Sequence, residues 1–183
     1  MSAMEWKEIL QKRIKAKRQI LFSKDDPEIL SLHLLIGQQP RKAVILWALD
    51  LAEETVRELE ANCPADRRAA DAVALTRQWA AGEIKMPVAK RAILSCHGAA
   101  REIDSPADIA RYHAVGQACG TVHAVGHAIG YPIYDLTARI RENGLEHCDE
   151  IIPSRIEYYI GRLFYWAENR GTYPGPWAGF IRD

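Results

Sequence analysis

Strand-forming sequence is almost absent from this 183-residue chain: no run of Val, Ile, Thr and aromatic residues alternates with polar ones between turn residues. Sheet-based architectures are excluded with it. Cysteine is scarce. Cys63, Cys96, Cys119 and Cys148 are widely scattered, without the close spacing of a zinc site or the density of a secreted disulfide framework. They read as buried free thiols in a reducing compartment. Excess charge of either sign is missing too: 24 Lys+Arg balance 24 Asp+Glu, which argues against nucleic acid or a membrane surface as partner. Residues 1–7 lack the apolar core of a signal peptide. Residues 114–134 come closest to a membrane span, but Gln117, His123, His127 and Pro132 interrupt them. No Gly-x-Ser-x-Gly elbow, phosphate-cradling glycine loop or dinucleotide fingerprint occurs. These absences describe a cytoplasmic protein whose length suits one domain, 1–183, with a proper core.

Helical punctuation is what the chain has instead. Residues 5–22 place Trp6, Ile9, Leu10, Ile14 and Leu21 on one side of a basic helix rich in Lys7, Lys12, Arg13, Lys15, Lys17 and Arg18, within a basic N-terminal segment, 1–25. That face is either solvated or a docking surface for an acidic partner. Pro27 and Pro40 sit where a first helical turn tolerates proline, opening a short helix over 28–36 and a longer one over 41–61. Val44, Trp47, Ala48, Leu51, Ala52, Val56 and Leu59 form the apolar stripe of the longer one. Further helices follow from Asp66 to about residue 82 and over 87–103, the latter with Val88, Ala92, Leu94 or Ser95, and Ala99 inward. A last helix covers 156–169, and 171–183 is a Gly/Pro-rich tail. The fold class is therefore all-α: a single-domain bundle of about seven helices.

Its centre is predicted at 107–139, read as one long helix that is apolar nearly all round and so must be buried. Asp104-Ser105-Pro106 starts it, Pro132 kinks it and Asn143-Gly144 closes it. A helical wheel at about 100° per residue puts His113, Gly116, Gly120, His123, His127 and Gly130 on one stripe of this Ala/Gly/His-rich rod. His123 and His127, four apart, have the spacing of two metal ligands on one helix, and His97 on the preceding helix is the best third. The intervening Ala124-Val125-Gly126 lacks the glutamate base of helical zinc proteases. His113 would lie about 20 Å along the rod from His127, too far to share an ion. Three readings stay open: hydrogen-bonded core histidines, a site for one divalent metal, or a polar interface. Cys96 and His97 are adjacent, so on a helix they point apart and the thiol gains no base.

Two features suit binding. Asp50, Glu53, Glu54, Glu58 and Glu60 make an acidic run, either a solvated helix face or a patch for a basic partner. Tyr173, Trp177 and Phe180 stand in a tail that cannot form its own core and must fold onto the bundle or onto another molecule, including a second copy.

Several segments resemble a known family. They are Trp47-Ala48-Leu49, Trp79-Ala80-Ala81-Gly82, Gly82-Glu83-Ile84-Lys85-Met86 with Ala89-Lys90-Arg91-Ala92, Cys96-His97-Gly98-Ala99-Ala100-Arg101, and the stretch from Ala118 to Gly130 that holds His123-x-x-x-His127. Over residues 40–143 the chain is similar to the immunity-protein-five-like group of bacterial toxin–immunity systems. The resemblance implies an all-helical cytoplasmic protein that neutralises a cognate toxin by binding it, with no reaction, cofactor or catalytic residue of its own. Glu53, Glu54, Trp177 and Phe180 are the contacts expected on that reading. The alternative is a metal-dependent helical-bundle hydrolase using His97, His123 and His127, in which the ion lowers the pKa of a bound water.

Overall fold

The computed structural model describes residues 3–183. Among them there is no strand. Eight α-helices run α1 (Ala3–Lys15), α2 (Pro27–Gly37), α3 (Arg41–Asn62), α4 (Arg68–Ala81), α5 (Met86–Ala99), α6 (Pro106–Gly120), α7 (Gly130–Asn143) and α8 (Cys148–Asn169). Prolines open α2, α5 and α6 within the first two positions, where the missing N–H has no helical acceptor to lose. Ser105 caps α6, its hydroxyl accepting from the Asp108 N–H at 3.2 Å.

Two helices share the centre. α6 packs against α3, α4, α5 and α7, and α3 packs against α6, α8 and α4. Every residue from 43 to 49 of α3 is buried, so this half of the helix is covered on all sides rather than along one stripe. Trp47 is fully enclosed and donates its indole N–H to the Tyr159 carbonyl of α8 at 2.9 Å. None of these helices is long and apolar enough to cross a membrane.

The predicted rod over 107–139 is two antiparallel-packed pieces, not one. α6 stops at Gly120, Ala124 is extended (φ −142°, ψ 117°), a single 3-10 turn covers Val125–His127, and α7 begins at Gly130. Val122, Ala128 and Ile129 are buried and pin both ends of the break into the core, and Arg41 donates to the freed Val122 carbonyl at 2.9 Å. Pro132, expected as a kink, falls in the first turn of α7, where helices accept proline. The histidines at 123 and 127 therefore leave the helical stripe on which the four-residue spacing placed them.

The basic first helix is also shorter than its periodicity, ending at Lys15. Lys17 takes φ 53°, and the N–H groups of Lys17 and Arg18 close back onto the carbonyls of Ile14 and Arg13 in a Schellman-type stop. Leu21 and Phe22 are then buried from an extended segment, the Leu21 N–H donating to the Thr137 hydroxyl of α7. Arg13 grips Asp26 through two 2.6 Å hydrogen bonds. At the far end α8 starts at Cys148 and contains Pro153, so it is about two turns longer than the helix predicted from residue 156.

The tail folds onto its own bundle. The Ala178 N–H donates to the Ala80 carbonyl at 2.7 Å, Ile181 is buried, and the Asp183 carboxylate accepts from the Lys42 backbone at 2.9 Å. A chain ending at Arg170 is expected to lose roughly 2–4 kcal/mol, the burial of one large aliphatic side chain and its neighbours. Urea unfolding measures that loss. Light scattering should give the same number of chains per particle for both forms; a lower number for the truncated form would mean the tail joins subunits.

Candidate functional site: a histidine-lined pocket

A pocket of about 320 Å³ opens beside the break between α6 and α7. Its floor is α6, its walls are α5 and the end of α4, and its lip is the 121–127 turn. His97, His123 and His127 all line it, with Lys90, Gln117, Trp79, Met86, Ile93 and Leu94. The sequence-predicted trio thus does share one cavity, although only His97 stands on a helix.

Glycine makes the floor possible. A Cβ on Gly116 would lie 2.3 Å from His97 Nε2, and one on Gly120 would lie 3.1 Å from the His127 ring. Two imidazoles rest directly against the α6 backbone because neither position has a side chain. Glycine inside a helix costs about 1 kcal/mol relative to alanine, so the close approach is bought with stability.

Each ring has a partner. His97 and His113 face one another, Nδ1 to Nδ1 at 2.9 Å, so one ring donates and the other accepts. His113 in turn packs on Tyr134, ring centroids 5.2 Å apart. His127 Nδ1 lies 3.0 Å from the Gln117 side-chain oxygen; a carbonyl only accepts, so this nitrogen is the donor. His123 stacks on Trp79 at 6.5 Å, and Trp79 on Phe180 at 5.5 Å. Burial, then His113 and then His127, hold His97 down at about 4, and burial with Arg101 lowers His113.

A pH dependence follows. Because the folded state disfavours protonated His97, the unfolded chain binds the proton first as pH falls. The stabilising contribution is complete above about 6.5 and is lost progressively between 6.5 and 4. The urea midpoint of the wild-type protein should fall across that window, and a His97→Phe variant should show a flatter profile there.

Beneath the floor, Cys96 and Cys119 are buried, and burial pushes both thiols up, Cys119 to about 12. Cys96 donates to the Tyr112 carbonyl rather than meeting His97, in line with the expectation that it gains no base. Among the described residues no group of three His, Cys, Asp or Glu side chains is placed to hold a metal ion.

The acidic run on α3 is partly exposed and spanned by ion pairs to arginines. Asp50 pairs with Arg162, Glu53 with Arg77, Glu54 with Arg155 and Glu58 with Arg111 and Arg139, all at 2.6–3.0 Å. Glu60 pairs with Arg67 at 2.6 Å. Glu53 and Glu54 are thus engaged within the bundle. Trp177 is half-buried beside Tyr173 and Lys42, while Phe180 stays 46% exposed next to the pocket.

The pocket residues that sequence reasoning passed over are Met86, Lys90, Ile93 and Leu94. They carried a signal: with His97 they stand at positions i, i+4, i+7, i+8 and i+11, one stripe of α5. Placing Leu94 or Ser95 on the inner side hides that stripe; both are exposed, Leu94 at 58%, and the core side is Ala89, Cys96 and Ala99.

No curated protein and no solved structure matches the chain. Residues 34–162 match the family model described as Imm-5 like putative immunity protein, a span from α2 to near the end of α8 that holds the whole pocket except the Phe180 edge, and the chain belongs to that family.

Proposed function

We propose that this protein binds a cognate bacterial toxin in the cytoplasm and neutralises it by occupying its functional surface, without a reaction of its own. The observation that carries the reading is the family match over 34–162. It is supported by a surface suited to a protein partner: Met86, Leu94 and Phe180 are exposed around a concave, largely apolar pocket. Of the four contacts expected from sequence, Phe180 and Trp177 lie where a partner can reach them. Glu53 and Glu54 would contribute only at a rim, because arginines already share their charge.

The test is co-expression of this chain with toxins encoded beside its gene, reading growth. Restored growth with a toxin that otherwise arrests the cell supports the proposal. Continued arrest, with the folded protein present in excess, removes it. Protein purified without a polyhistidine tag should hold less than about a tenth of an equivalent of zinc, nickel or iron, because a retained ion needs a three-ligand site. A stoichiometric ion would favour the hydrolase alternative.

A further inference from the structure

The pocket's chemistry says what kind of group it accepts, on the premise that the partner is a toxin. Its walls are mostly apolar, and Trp79, Ile93 and Leu94 offer flat or branched faces. No carboxylate lines it, whereas Lys90 does. α5 as a whole carries Lys90 and Arg91 and no Asp or Glu. The His127 Nδ1 is held by Gln117, which in the neutral ring leaves Nε2 as the acceptor. An apolar slot, an acceptor nitrogen and a cation at the mouth complement one kind of side-chain pair. At about 320 Å³ the cavity stands at the small end of the roughly 300–1,000 Å³ range of binding clefts, the scale of one inserted group rather than a broad groove.

We infer that the pocket is a socket for an aromatic anchor of the toxin: a tyrosine or tryptophan whose O–H or N–H donates to the His127 imidazole, beside an aspartate or glutamate that pairs with Lys90. Buried aromatic anchors with a polar handle dominate many interfaces because they bring large apolar area at little entropic cost. The exposed side chains Met86, Leu94 and Phe180 would then seal the rim once the anchor is seated. The glycines fit the same purpose. Gly116 and Gly120 draw His97 and His127 down onto α6, which leaves the cavity above the rings open.

Two measurements test the socket. In the first, indole-3-acetate and tryptamine are titrated into the wild-type protein while the imidazole resonances are followed by NMR. They share a ring and differ in charge sign. Saturable shifts at His97, His123 and His127 are expected with indole-3-acetate, and binding at least fivefold weaker with tryptamine. Equal binding of the two, or shifts confined to other parts of the protein, overturns the inference. In the second, a Lys90→Glu/Leu94→Asp variant is compared with wild type for affinity to whichever toxin the wild-type chain neutralises. Both positions are exposed, so the fold should be retained, and unchanged thermal unfolding confirms it. Affinity should fall roughly 50-fold or more, while Glu157→Lys at an exposed position of α8 leaves it unchanged. If wild type binds the toxin and the double variant binds within threefold of it, the socket is wrong and the toxin reading stands. If the wild-type chain binds none of the toxins, the reading beneath the socket fails, and the socket with it.

Discussion

Replacing Asp135 with alanine is expected to destabilise the protein by about 3–5 kcal/mol, the cost of leaving buried charge without its counter-charge. Asp135 sits on α7 with no exposed surface. One oxygen accepts from the Tyr159 hydroxyl and lies 2.9 Å from Arg155 Nη2; the other lies 3.3 Å from Arg139 Nε. Both guanidiniums are themselves largely enclosed, and burial works against their charge while Asp135 works for it. The network continues outward through Glu54 and Glu58 to Arg111, which Asp108 and Glu142 also hold. Removing the carboxylate strands two cations against a carboxylate pair that already serves other partners. An Asp135→Asn variant keeps the volume and an acceptor and should lose clearly less. Urea unfolding of the three proteins decides the matter. A loss under about 1 kcal/mol for alanine would mean that water screens the site and that the ion pairs do not carry the α3–α7–α8 junction.

That network also shows where the sequence stops being legible. Asp50, Glu53, Glu54, Glu58 and Glu60 look like a solvated face because Arg57 is the one basic residue among them on their own helix. Their partners, Arg67, Arg77, Arg111, Arg139, Arg155 and Arg162, lie from 7 to more than 100 residues away, on other helices or the turn after α3. Pairing of that kind depends on how helices cross, which periodicity does not report. Fold class was readable because it is written locally, in prolines at helix starts, the Ser105 cap and the apolar stripes. The break after Gly120 was not. An apolar pattern on all sides fits one buried rod or two buried pieces equally well, and the four-residue step from His123 to His127 imitates a helical pair. The pocket was half legible. Its three imidazoles were picked out as a group, but for a spacing they do not keep, while the α5 stripe through Met86, Lys90 and His97 was the sounder sign.

Trp47→Ala is expected to cost about 3–5 kcal/mol, as large-to-small changes of enclosed aromatics do, against a total stability of about 5–15 kcal/mol. Trp47 is fully buried among the helices that pack on α3, and its neighbours along the chain, Leu46 and Ala48, are buried as well. The surrounding backbone cannot collapse inward easily, since α3 meets α4, α6 and α8 at once. A Trp47→Phe variant separates packing from hydrogen bonding. It retains most of the apolar volume and loses the indole donor to Tyr159, worth about 1 kcal/mol net. The comparison bears on function as well as stability, because this contact ties the first long helix of the family-matched span to its last. If the proposed toxin neutralisation holds, protection by Trp47→Phe should match wild type at 25 °C, while Trp47→Ala protects only at temperatures where its melting curve still shows folded protein. Protection lost in a fully folded Trp47→Ala protein would mean that the α3–α8 junction shapes the binding surface directly rather than supporting it from beneath.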